Sequence, residues 1–134
     1  MQKRYTFPKR ERLYKKKDIA QLFANARSLK TNHFIVLYHW TTPQFPHQAA
    51  VQVLISVPKK NIKLSVHRNL IKRRIRESYR QNKPALYNYI AQQQRILFIG
   101  FLYQEKTCLD FKSIETDVQS ALNRLQEIAR QSHF

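Results

Sequence analysis

Fifteen consecutive residues, Val66 to Arg80 (VHRNLIKRRIRESYR), contain neither Pro nor Gly and set six Arg or Lys against a single acid, Glu77. Read at 3.6 residues per turn, they separate into two stripes. Asn69, Lys72, Arg73, Arg76 and Arg80 fall within about 100° of one another, and Ile71, Ile75 and Tyr79 fall on another side. The spacing predicts a helix that buries a short apolar stripe and presents a cationic one. Like charges three or four residues apart on a helix repel by a few tenths of a kcal/mol, roughly, per pair. Such a face is either solvated or built to be neutralised by a polyanion. Solvated faces usually mix signs, and this one barely does, so the polyanion is the better reading.

Composition points the same way. The chain has 134 residues, a formal net charge of +17 and a pI near 10.4. That balance favours nucleic acid, or less often an anionic membrane surface. The length suits one domain spanning residues 1–134, and no interdomain linker, repeat or low-complexity segment interrupts it. The N-terminus alternates basic and aromatic residues and has no apolar signal, and no stretch reads as a membrane span. One cysteine, Cys108, excludes an intramolecular disulfide. A cytoplasmic protein is expected. The single glycine leaves no glycine-rich phosphate cradle.

Residues 1–17 hold eight Lys or Arg and one Glu. They read as a basic arm, flexible over residues 1–8, with Phe7 and Leu13 tucked against the domain. Asp18 is a candidate N-cap for a short helix in which Ile19, Leu22, Phe23 and Ala26 share one face. Ser28 to Asn32 reads as a short extended segment. Phe34 to Trp40 predicts a strand that is apolar on both sides and therefore central. Pro43 and Pro46 mark a loop, and Ala50 to Val57 a further strand that Pro58 ends. Lys59, Lys60 and Lys63 lie in the loop before the basic helix, which Pro84 stops by about Asn82. A weaker helix is expected over Ala85 to Gln94. A strand over Arg95 to Tyr103 follows, with Gly100 a candidate bulge. Asp110 is a candidate N-cap for a last helix whose stripe is Phe111, Ile114, Val118, Leu122, Leu125 and Ile128. The mixed order indicates an α+β domain with helices packed on one sheet face.

No active site is visible. The acids are scattered, and no two have the spacing of a catalytic pair. The five histidines make no metal spacing with Cys108, whose thiol reads as buried or neutral. His67 adjoins the basic helix and reads as an exposed side chain or a phosphate contact. A binding protein or helper subunit is expected. Aromatic and basic residues do interleave: Tyr14, Phe23, Tyr38 and Trp40 stand near Lys15 to Lys17. Single-stranded nucleic acid is held by stacking beside cations, whereas Phe34 and Trp40 on a central strand are more often packed in a core than stacking. Lys15, Phe23 and Tyr38 are the candidates for exposure.

At this point the chain resembles the protein subunit of bacterial ribonuclease P. The likeness runs through Phe7–Leu13, Lys15–Ile19, Phe34–Tyr38 and Ser56–Lys60. Its strongest part is Arg68-Asn69-Leu70-Ile71-Lys72-Arg73 followed by Arg76-Glu77, which is similar to that family's signature block. The resemblance implies an αβββαβα domain with a central mixed sheet and a left-handed βαβ crossover, a fold related to that of a ribosomal protein. It implies a catalytic RNA as partner and precursor tRNA as substrate. The RNA performs the Mg²⁺-assisted hydrolysis that removes the 5′ leader, and no catalytic residue falls to the protein. By the same resemblance Lys59, Lys60, Arg68, Asn69, Lys72, Arg73 and Arg76 face the catalytic RNA. Lys15, Ile19, Phe23 and Tyr38 line a cleft for the single-stranded leader. Three positions depart from the family pattern. Leu70 replaces a frequent Arg, Ile19 replaces an aromatic common in the cleft, and the loop Asn61 to Ser65 lacks the usual Gly and is a residue longer. A structural RNA-binding protein of ribosomal type, and a DNA-binding module that lays Val66 to Arg80 in a major groove, are the competing readings.

Overall fold

The computed structural model describes residues 6–131. A 3₁₀ turn at Lys9–Glu11 precedes helix α1 (Lys16–Asn25) and strands β1 (Arg27–Lys30), β2 (Phe34–Thr41) and β3 (Val51–Ser56). Helices α2 (Ser65–Asn82) and α3 (Pro84–Gln92), strand β4 (Ile96–Tyr103) and helix α4 (Phe111–Gln131) complete the order. The sheet runs β1-β2-β4-β3, with β1, β2 and β4 antiparallel in sequence and β3 parallel to β4. The mixed α+β domain is therefore as the sequence indicates, with β2 and β4 in the interior of the sheet. The expected basic arm over residues 1–8 lies largely outside the described residues. From Thr6 onward the segment makes defined contacts: the Phe7 ring meets Tyr79 edge-on at 5.2 Å, and Leu13 is buried.

Alternation along β2 and β4 decides where the layers go. Phe34, Val36 and Tyr38 with Leu97, Ile99, Phe101 and Tyr103 point to one face and form the main core with Ile71, Ile75 and Tyr79 of α2 and the stripe of α4. Leu37 and Phe98 point to the other, where Leu13, Leu22 and Ile96 form a smaller core under α1. The expectation of helices on one face only is thus corrected: α1 covers part of the second. The reason is legible in β4, whose residues are buried on both faces along most of its length. A strand apolar on both sides needs cover on both.

Gly100 is no bulge. Its pairing with Leu37 and Leu54 is continuous on both sides. A Cβ there would lie 3.2 Å from Leu22 Cδ2, so the glycine lets α1 settle close onto the sheet. Asp18 is not the N-cap either. Leu13 N–H bonds the Val53 carbonyl at 2.9 Å, which ties the chain to the β3 edge, and α1 then starts at Lys16 with Lys15 as its cap residue. Asp18 falls in the first turn, where its charge favours the helix dipole. Asp110 does cap α4, accepting from Ser113 N–H at 2.9 Å. With one glycine in the chain, the left-handed positions among the described residues go to His47 (φ 62°) and Gln94 (φ 55°), the latter just past α3.

Candidate nucleic-acid interface

Helix α2 separates its residues as the periodicity demands. Ile71, Ile75 and Tyr79 have no exposed surface, whereas Asn69, Arg73 and Arg76 are exposed along the opposite side, with Lys72 half-buried beside them. Asn69 to Arg80 covers about 16 Å of helix axis. The acid of α2, Glu77, pairs with Arg80 one turn on, so Arg80 belongs less to the open ridge than the sequence suggests. Among the described residues Lys72, Arg73 and Arg76 form no ion pair. Arg12 of the N-terminal segment adds its charge: partial burial first, and then Arg12, hold the Arg76 guanidinium below its ordinary range. No acid lies in the first turn of α2, and Lys59 and Lys60 stand exposed in the preceding loop.

Two arginines of the stretch have structural tasks. Arg68 donates from Nη1 to the carbonyls of Ile62 (3.0 Å) and Lys63 (2.7 Å), closing the glycine-free loop onto the helix. Arg74 donates to the Leu109 carbonyl and lies 3.6 Å from Cys108 Sγ, bracing the approach to α4. Cys108 is exposed rather than buried.

Of the residues expected in the leader cleft, two share α1, Lys15 stands at its head with its ammonium over the Phe45 ring, and one is turned away. Lys15, Ile19 and Phe23 lie on or next to α1, and Phe23 is 54% exposed. Tyr38 is corrected: its position in the β2 alternation turns it to the main core, where it is 8% exposed. A one-residue difference in strand position decides the face, and sequence alone did not say which face α1 would cover.

Helix α1 crosses the sheet above Leu37 and Gly100. One flank carries Asp18 and Gln21, and Gln21 Nε2 reaches His39 Nε2 at 3.2 Å near the β2–β3 loop. Burial holds the His39 imidazole below its ordinary range. The other flank carries Ile19 and Phe23 at helical spacing, with Ile19 packed against the smaller core and Phe23 exposed. The chain leaves β3 after Ser56 for the exposed Lys59 and Lys60. Sequence reading missed Gln21, His39 and Phe45, because only the sheet register and loop path place them next to α1.

Among the described residues no three His, Cys, Asp or Glu side chains gather as a metal site. The nearest approach is occupied by structural bonds: Asp117 accepts from Thr31 Oγ1 (2.8 Å) and His33 N–H (2.6 Å), and His33 Nδ1 meets Glu105 at 2.9 Å.

A sequence model described as Ribonuclease P matches residues 7–126. The chain belongs to the ribonuclease P protein family. The ribonuclease P protein component of Geotalea uraniireducens is 35% identical over 130 residues, covering 93% of this chain and 99% of its own. That of Porphyromonas gingivalis is 32% identical over 118 residues, covering 87% and 84%. The fold is similar to the ribonuclease P protein structures from Thermotoga maritima (TM-score 0.65, 24% identity, 85% and 96% covered) and Staphylococcus aureus (TM-score 0.66, 21% identity, 86% and 94% covered). As a member of the family, the chain is a protein subunit of the ribonucleoprotein endoribonuclease that matures tRNA 5′ ends. No helix among the described residues is long and apolar enough to cross a membrane.

Proposed function

We propose that this subunit holds the catalytic RNA on the exposed ridge of α2 and the 5′ leader of precursor tRNA in the cleft beside α1, in the cytoplasm. The observation that carries the reading is the division of α2: a fully buried apolar stripe opposite Asn69, Arg73 and Arg76, with Lys72 at its edge and, among the described residues, no acid paired to the three cations. Lys59 and Lys60 extend that surface, and Arg68 supports it by fixing the loop as well as by its charge. Lys15, Ile19 and Phe23 receive the leader, with Ile19 supplying apolar contact where an aromatic would stack. The protein reads backbone and shape, because the deep A-form groove hides base edges. Mg²⁺ serves the RNA subunit, which breaks the phosphodiester bond.

The test is cleavage of precursor tRNA by the catalytic RNA at low Mg²⁺, with and without the protein. Stimulation is expected; equal rates would end the proposal. About five phosphate contacts give a log–log salt slope near −3.5 to −4.5 for the protein–RNA affinity. The double substitution Lys72→Ala/Arg73→Ala should reduce that slope by between one and two. An unchanged slope would mean that the ridge is solvated and idle.

A further inference from the structure

The Asp18–Gln21 flank of α1 borders a second groove, on the other side of the helix from the cleft proposed for the leader. Its floor is Phe98, and its far wall is the β2–β3 loop with Gln44, Phe45 and Gln48. The groove is about 530 Å³, within the usual range of small-molecule sites. Lys15 and Lys17 stand over it, and an adjoining hollow continues it past Phe45 to Arg10, Arg12 and Tyr14. Among the described residues Asp18 is the one carboxylate on these walls, against four cations.

Phe45 is unusual for an apolar side chain. It is 50% exposed, flanked by Pro43 and Pro46, and Lys15 Nζ lies 5.1 Å from its ring centroid. The prolines restrict the loop backbone. A bond from Gln44 N–H to Gln48 Oε1 at 2.8 Å closes the loop on itself. The ring is thus presented with little freedom to collapse onto the core. Tyr14 repeats the arrangement next door: 52% exposed, with Lys9 Nζ 5.2 Å from its centroid.

Exposed rings held beside cations are what a sequence-tolerant single-strand site consists of, since every base offers a π-face and every linkage a negative charge. A duplex does not offer its base faces, so the occupant is unpaired. The trough is also continuous from the loop to the N-terminal segment, which suits a polymer better than a mononucleotide. We infer that this groove is a second binding position for single-stranded RNA, taken by the upstream part of the leader after it passes over the N-terminal end of α1, with Phe45 as its stacking platform and Lys15 and Lys17 on its phosphates. Lys15, at the head of the helix and over the Phe45 ring, then meets the leader where it passes into this groove. The inference rests on the proposed leader cleft and extends it.

The experiment uses the reconstituted holoenzyme and two precursor tRNAs, one with a leader long enough to pass α1 and one truncated within the first cleft. Phe45→Ala should weaken the long-leader complex by about 5- to 150-fold, the loss of one stacked base, and leave the short-leader complex unchanged. Phe45→Trp should preserve long-leader affinity. Equal losses on both substrates, no loss on either, or a Trp variant as weak as the Ala variant would overturn the inference. A photo-crosslinking amino acid in place of Phe45 separates the sources of unpaired RNA: a crosslink to the leader is expected, and one to the catalytic RNA alone would refute the assignment. If the wild-type protein failed to stimulate cleavage at low Mg²⁺, the underlying reading would fail; stimulation with a silent Phe45→Ala would remove only the second groove.

Discussion

Replacing Lys83 with Met removes the cation from a buried pair that joins the N-terminal segment to the end of the basic helix. Lys83 caps the junction of α2 and α3 and is 8% exposed; Glu11, in the 3₁₀ turn, is 3% exposed. Lys83 Nζ donates to Glu11 Oε1 and to the Thr6 carbonyl, and sits 5.4 Å from the Tyr87 ring centroid. Breaking such a pair from one side costs about 3–5 kcal/mol, because a charge is left buried without its partner, while removing both charges is often near neutral. The two sides differ here. Without Lys83, the Glu11 carboxylate keeps no other hydrogen bond among the described residues, so Lys83→Met should cost about 3–5 kcal/mol. Without the Glu11 charge, Lys83 keeps the Thr6 carbonyl and the Tyr87 ring, so Glu11→Gln should cost less, about 1–3 kcal/mol. The double variant should be more stable than Lys83→Met alone, which is a coupling of opposite sign to simple addition. Urea unfolding of the four proteins, compared at constant m, measures the cycle. A Lys83→Met loss below about 1 kcal/mol, or additive losses, would refute the account of a buried, mutually dependent pair.

Three further expectations follow from single positions. Gly100→Ala places a methyl 3.2 Å from the fully buried Leu22; the packing cost of about 1–3 kcal/mol should exceed the backbone gain of about 0.5–1 kcal/mol, so the urea midpoint should fall, and a rise would show that α1 yields freely. Gln94→Gly relieves a left-handed residue (φ 55°) and should raise the melting temperature by a few degrees, roughly, with a drop meaning that the Gln94 side chain matters more than its backbone. Burial lowers the His39 pKa, so the folded state resists a proton that the unfolded state accepts. That contribution to stability is complete above the unfolded value near 6.5 and is lost as pH falls through the lowered folded value. Melting temperature should therefore decline less steeply between neutral and mildly acidic pH in His39→Gln than in wild type, and parallel profiles would exclude His39 as a source.

What the sequence alone determined is the part governed by local periodicity. Ile71, Ile75 and Tyr79 had to share a side of α2, and Asn69, Arg73 and Arg76 another, because a helix turns 100° per residue whatever surrounds it. The two-sided apolar character of Phe34 to Trp40 put β2 inside the sheet for the same kind of reason, since a strand buried on both faces needs neighbours and cover. The signature around Arg68 to Glu77 brought the family with it. Tertiary structure decided what depends on partners remote in sequence. Tyr38 went to the main core and His39 to the face under α1 because α1 settled over Gly100, a choice between two apolar faces that β2 itself does not make. Glu11 found Lys83 across 72 residues, Arg68 turned back to its own loop, and Phe45 met Lys15 only because the β2–β3 loop folds toward the head of α1. Helical and strand periods fix which residues face together; the packing of layers fixes what they face.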